Sequence, residues 1–275
     1  MTLTKSPTKN YCMKKSVVLS LAAVLAISGV KSFAAPVLSD NFNSYTNGNL
    51  VGQGGWAQTG ASATTPIQVN SGVVTIGSSG QDVYSPFSSP VTLADGQSLY
   101  FGLTLNVSAA QATGDYFLHF TPNAGNSSLL YDRAFVKSTT GGYFLGLAGT
   151  SGGTTTYGTT VLSLGTSYNM VLAYNYSATT PTNSTDAIYI NPSSPTVGNN
   201  TPYLLAAWGT ATIDTNQIAA VNFRQGSAPA APTLTVDNLV VSQTFGDVVP
   251  APEPSTIALV AMGGAACLVA FRRKR

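Results

Sequence analysis

Few side chains in this chain can carry acid–base, nucleophilic or metal chemistry, and their spacing works against most of it. A glycosidase needs two carboxyl groups facing each other across a sugar. The chain has one glutamate, Glu253, close to its C-terminus. Its nine aspartates are scattered from Asp40 to Asp247, none within three residues of another. Gly149-Thr-Ser151-Gly-Gly153 fits the letters of the Gly-x-Ser-x-Gly nucleophile elbow, but that elbow needs a strand, a tight turn and then a helix. Thr154-Thr-Thr-Tyr157 comes next and favours a strand, so the segment is predicted to be a glycine-rich loop. The single histidine, His119, lies within Tyr116-Phe-Leu-His-Phe120. A lone histidine among strand aromatics is expected to be a half-buried structural residue. No cysteine occurs between Ala35 and Pro250, which removes a thiolate nucleophile, a disulfide framework and a Cys/His zinc site there. The reading is of a non-enzymatic protein with no cofactor. The enzyme alternative, a polysaccharide hydrolase or lyase, requires an Asp pair, or a Tyr with a basic partner, converging in one cleft.

These residues sit in a chain of 275 residues that is 44% hydrophobic and 8% charged, where an average soluble domain is about 25% charged. The formal charge of +2 hides a strong segregation. Between Ala35 and Pro250 only Arg133, Lys137 and Arg224 are basic, against nine aspartates, so this middle carries −6. Phosphate backbones need clustered Lys and Arg, so nucleic acid is excluded as a partner. The remaining bases crowd the two ends.

Residues 13–34 open on Met13-Lys14-Lys15, run apolar from Ser16 to Val30 and close with Lys31-Ser32-Phe33-Ala34. A positive start, a short apolar core and small residues three and one before a cut make a secretory signal peptide. The cut is expected between Ala34 and Ala35, with the Sec machinery and signal peptidase as partners. Because Met13 opens a complete signal peptide, residues 1–12 read as an extension from a misassigned start. At the other end, Val249-Pro250-Ala251-Pro252-Glu253-Pro254-Ser255 precedes an apolar run from Thr256 to Phe271 and the cluster Arg272, Arg273, Lys274 and Arg275. As a helix the run reaches about 24 Å at ~1.5 Å per residue, near enough to the hydrocarbon thickness for snorkelling arginines to close the gap. A single transmembrane helix is predicted, its basic end in the cytoplasm and the middle domain outside.

Pro252, Glu253 and Pro254, the short apolar helix and the basic cluster resemble the PEP-CTERM sorting signal of Gram-negative bacteria. The resemblance covers about the last 26 residues, with one departure, an extra Ala251-Pro252 ahead of the usual Val-Pro-Glu-Pro spacing. It implies recognition by an exosortase, a membrane cysteine transpeptidase-like enzyme that cuts near the Pro-Glu-Pro and releases or transfers the protein. It also implies a bacterium that makes exopolysaccharide and biofilm. The expected organisation is a signal peptide over 1–34, a domain over 35–248 and the sorting segment over 249–275.

The middle is broken into short runs of β-branched and aromatic residues separated by Gly, Pro, Asn and Ser. Examples are Gly72-Val-Val-Thr-Ile76, Ser98 to Val107, Asp115 to Phe120, Leu129 to Lys137 and Leu234 to Phe245. Such runs predict an all-β sandwich or barrel, and no window sustains a long helical period. Asp40-Asn41-Phe42 with Gly52-Gln-Gly-Gly-Trp56, the pair Tyr168 to Tyr174 and Asp186 to Pro192, and the closing Val236 to Ser242 resemble a concanavalin A-like jelly roll, in its lectin and laminin-G-like versions. The resemblance implies that the first and last strands lie side by side and that Tyr168 to Tyr174 and Asp186 to Pro192 form one hairpin. Such domains often hold one structural Ca²⁺, for which Asp40 and Asp237, with Asn41 or Asn238, could supply oxygens; turn and strand-end hydrogen bonds are the competing use of the same side chains. For sugar binding, Trp56, Tyr131, Tyr143, Tyr157, Tyr174, Tyr176 and Trp208 are numerous enough, although strand aromatics generally fill cores. The reading is an exported surface or matrix protein, anchored in the inner membrane before processing, whose jelly-roll domain meets exopolysaccharide. A membrane-tethered adhesin that keeps its last helix is the third possibility.

Overall fold

The computed structural model describes residues 35–60, 65–150, 152–178, 184–208 and 215–250. The expected signal peptide and the sorting motif with its basic tail lie outside the described residues. In chain order the strands are β1 (Leu38–Asp40), β2 (Gly48–Asn49), β3 (Ala57–Thr59), β4 (Gln68–Asn70), β5 (Val73–Ile76), β6 (Asp82–Thr92), β7 (Ser98–Ala109) and β8 (Asp115–Thr121). They continue as β9 (Tyr131–Thr139), β10 (Gly142–Thr150), β11 (Thr156–Tyr157), β12 (Ser167–Asn175), β13 (Thr185–Ile190), β14 (Leu204–Ala207), β15 (Gln217–Phe223) and β16 (Thr233–Ser242), and a single helical turn, α1 (Phe245–Val248), comes last. The strands form two antiparallel sheets. The nine-stranded sheet runs β14-β13-β12-β7-β16-β5-β4-β2 with β1 also on β16, and the seven-stranded sheet runs β11-β10-β9-β8-β15-β6-β3.

The first and last strands are neighbours, Asp40 opposite Leu239, and β12 and β13 form the expected hairpin, Tyr174 opposite Asp186. Period-two alternation decides which faces meet. Leu99, Phe101, Leu103, Leu105 and Val107 of β7 all enter the core. Phe101 stacks on Phe120 of the opposite sheet with centroids 3.5 Å apart, and Trp56 stacks on Phe223 at 4.9 Å.

The outer face of the nine-stranded sheet is closed by the C-terminal end of the domain. Phe245 lies edge-on to Tyr100 (5.3 Å) and Tyr189 (5.1 Å), and Val248 and Val249 are buried with it over Val171, Ala173 and Ala187. The sequence run from Leu234 to Phe245 therefore does not stay extended to its end. The Ser242 hydroxyl accepts the Thr244 N–H (3.0 Å) and donates to the Asp247 carboxylate (2.6 Å), turning the chain back over the sheet. Among the described residues no helix is long and apolar enough to cross a membrane.

Candidate functional site

Asp40 ends β1 and organises the turn behind it. Its Oδ1 accepts the Phe42 N–H (2.9 Å), and its Oδ2 accepts both the Tyr45 hydroxyl (2.5 Å) and the indole N–H of Trp56 (2.8 Å). Phe42 adopts a left-handed φ of 55° so that its ring can turn into the core. Asp237 lies on the neighbouring strand. Partial burial holds its carboxyl above the usual range, the Asn238 N–H counteracts this, and the charge on Asp40 adds to it. The side chains considered for calcium are thus close together, but the Asp40 oxygens already carry three protein donors. Among the described residues no group of three or more His, Cys, Asp or Glu side chains is placed to hold a metal. Asp40→Ala strands the buried Trp56 N–H and removes charge-assisted bonds, which costs about 3 kcal/mol. A fall of about 8 °C in the melting temperature is expected, and a shift below about 2 °C would contradict this role.

A second acid cluster was not visible in the sequence. Asp132 of β9 and Asp186 of β13 come from opposite sheets and are both fully buried. Asp186 Oδ1 accepts the Trp208 indole N–H (2.8 Å), and Trp208 stacks on Tyr131 at 5.9 Å. Burial, the adjacent Asp186 charge and a hydrogen bond to it push the Asp132 carboxyl well above the usual carboxylate range. Burial beside the Asp186 charge therefore favours the protonated form of Asp132. A left-handed φ of 46° at Asp132 breaks the strand alternation. The pairing with β8 slips at this point, Leu118 facing Ala134 and Phe120 facing Tyr131. As a result Tyr131 is packed in the core, Asp132 reaches Asp186, and Arg133 turns to the outer face.

That outer face, on the seven-stranded sheet, gathers the remaining chemistry. Register aligns Tyr84, Asn222 and His119 across β6, β15 and β8, with Arg133 on the adjoining β9. The Tyr116 ring lies between two guanidinium groups, Arg224 at 4.1 Å and Arg133 at 5.2 Å, with the His119 ring edge-on at 5.5 Å. Lys137 stands over Tyr157 at 5.2 Å. The three bases of residues 35–250 thus lie on one face, each over an aromatic ring. Arg224 is neutralised by Asp115 (2.8 Å) and, more loosely, by Asp82 (3.9 Å). Arg133 donates to the Thr150 carbonyl, yet its Nε–H has no acceptor and it is 8% exposed. His119 is 3% exposed with neither ring nitrogen hydrogen-bonded. Desolvation, with the two arginine charges adding, drives the imidazole down to about 3, so it is neutral. Asp82 is lifted to about 6 by burial in spite of Arg224.

His119 is thus more deeply buried than a half-buried structural residue and lies beside two cations and a tyrosine. Trp56, Tyr131, Tyr143, Tyr174 and Trp208 fill the core, whereas Tyr157 and Tyr176 are half-buried. Ser151 lies outside the described residues, but a strand, β11, comes after its glycines, as predicted. Sequence reading missed the Asp132–Asp186 pair and the Tyr116 platform because both join residues distant in the chain. The one available signal was the scarcity of bases: three cations among so few charges mark where to look.

Residues 250–275 match the PEP-CTERM protein-sorting motif. No curated protein matches the chain. Among solved structures, a mutant alginate lyase Aly36B in complex with alginate tetrasaccharide is similar at 19% identity and a TM-score of 0.47, covering 76% of this chain and 97% of that one. An endo-β-1,4-glucuronan lyase from the fungus Trichoderma reesei gives 10% identity and 0.44, covering 78% and 98%. The lectin UEA-II complexed with galactose gives 14% and 0.41, covering 75% and 98%. The chain is an all-β, two-sheet domain with a PEP-CTERM protein-sorting motif at its C-terminus.

Proposed function

We propose that this protein is an exported exosortase substrate that presents a glycan-binding, non-catalytic β-sandwich at the cell surface or in the extracellular matrix. The observation that carries the reading is the sorting motif at residues 250–275, which begins one residue after Val249, itself buried against the domain. A signal peptide over 1–34 delivers the chain through the inner membrane. The apolar run from Thr256 to Phe271 holds it there with Arg272 to Arg275 in the cytoplasm until processing at Pro252-Glu253-Pro254. The outer face of the seven-stranded sheet supports the glycan reading, since it offers aromatic rings beside amide, imidazole and guanidinium donors, the combination that sugar rings and hydroxyls require.

Intact mass of the protein recovered from the envelope and matrix tests the sorting reading. A species that begins at Ala35 and has lost the basic tail is expected, and Glu253→Ala should leave the tail on. Full-length protein dissolved in the cytoplasm would sink the proposal. One observation favours a second reading, a polysaccharide lyase: Tyr116 lies between two guanidinium groups with a neutral, unpartnered His119 beside it. Unsaturated uronate ends, read by ultraviolet absorbance after incubation with acidic polysaccharides, would establish that alternative.

A further inference from the structure

We propose that the outer face of the seven-stranded sheet binds an anionic sugar, a uronate unit of an acidic polysaccharide, whose carboxylate seats on Arg133 beside His119. The proposal deepens the glycan-binding reading and rests on it. Arg133 is the central group. A guanidinium that is 8% exposed has been taken out of water, and a buried charge with no counter-charge paired to it is costly. Among the described residues both ion pairs are made by Arg224, which leaves Arg133 and Lys137 without a carboxylate. Arg133 donates to one backbone carbonyl, and its buried Nε–H has no acceptor. Guanidinium groups match a planar carboxylate with paired donors, so a carboxylate is the anion this position fits best.

The neighbours define the rest of the ligand. His119 has two unpartnered ring nitrogens and is neutral, so it can donate to one oxygen and accept from a hydroxyl. Asn222 is fully buried beside it, donating to the Thr121 hydroxyl (3.3 Å) and accepting from Thr59 (3.4 Å). Tyr84, Tyr116 and Tyr157 are half-buried around this floor, giving ring faces for the apolar side of a pyranose. The surrounding charge sharpens the specificity. The middle of the chain carries −6, so a polyanion is repelled by most of the surface and is admitted only where the three bases gather. Binding should therefore weaken with salt only as strongly as one or two ion contacts require.

The test uses the full-length chain in mild detergent over immobilised polygalacturonate, the same polymer with its carboxyls reduced to alcohols, dextran and dextran sulfate. Retention on polygalacturonate is expected, with more than tenfold loss on carboxyl reduction. Arg133→Gln should weaken binding about tenfold. Lys137→Gln, at the half-buried margin where refolding is not at stake, should weaken it about threefold with an unchanged melting temperature. Equal binding to the carboxyl-reduced polymer overturns the anionic proposal and leaves the glycan reading standing. Tighter binding to dextran sulfate than to polygalacturonate overturns the carboxylate assignment. Binding to none of the four polymers overturns both readings.

Discussion

Gly102→Val is expected to lower the stability of the domain by about 4 kcal/mol, a fall of about 12 °C in melting temperature. Gly102 sits in the middle of β7 with valine-, leucine- and phenylalanine-rich neighbours, a place where glycine ordinarily weakens a strand. The reason for it lies on the outer face. A Cβ at this position would meet the Val248 carbonyl oxygen at 2.3 Å and the Val248 Cβ at 2.8 Å. The obstacle is backbone, so no rotamer change relieves it. The C-terminal segment must lift, and Phe245, Val248 and Val249 lose the cover of Tyr100, Val171 and Ala187. Gly102→Ala already introduces the clashing atom and should cost a smaller share. Limited proteolysis supplies a second readout, because the variant should be cut within residues 243–249 where the parent chain resists. A valine variant with the parent's melting temperature and protease resistance would show that the segment is not held as described.

The extent to which this arrangement is legible in the sequence depends on the range of the interactions. Strands with regular alternation, such as β5 and β7, announce themselves because each residue's face is set by its immediate neighbours. β6 does not, because Pro86 and Pro90 interrupt its pattern. The sheet accommodates Pro86 opposite Ala220, where the register with β15 slips, so the missing N–H costs little. The apolar character of Phe245 points to a strand, and only the presence of an uncovered sheet face explains why it folds back. The functional groups are less legible still. His119, Asn222, Tyr84 and Arg133 are far apart in sequence and meet through the order β6-β15-β8-β9. Asp132 and Asp186 are 54 residues apart by their numbers and come from different sheets. Spacing rules for motifs describe local geometry, and here the chemistry is assembled across strands. The sorting motif is legible for the converse reason: Pro252-Glu253-Pro254, the apolar run and the basic cluster are contiguous.

The Asp132–Asp186 pair should make stability fall as pH rises above the ordinary aspartate range, and Asp132→Asn should remove that fall. The ordinary aspartate value is 3.8 and the folded Asp132 value lies well above it. Between the two, the unfolded chain has released a proton that the folded chain still holds. Stability therefore drops as pH rises through that window, by about 1.4 kcal/mol for each pH unit. Other groups titrate in the same range, Asp237 among them, its carboxyl also held above the usual value. Asp82, lifted to about 6, gives a weaker decline in the same direction up to that value. His119 acts in the opposite sense: below 6.5 the unfolded imidazole takes a proton that the buried ring refuses until about 3, so stability falls as pH is lowered. These two slopes offset each other between about pH 4 and 6, so the decline set by Asp132 is what remains there. Above about pH 7 both have ended. In Asp132→Asn the amide N–H takes the place of the carboxyl proton toward Asp186, and asparagine accepts the left-handed backbone at this position. Urea unfolding of both proteins from about pH 5 to 9 separates the cases. The parent chain should lose more stability than the asparagine variant as pH rises over this range. Parallel curves over the whole range would mean that Asp132 is not held protonated beside Asp186 in the folded domain.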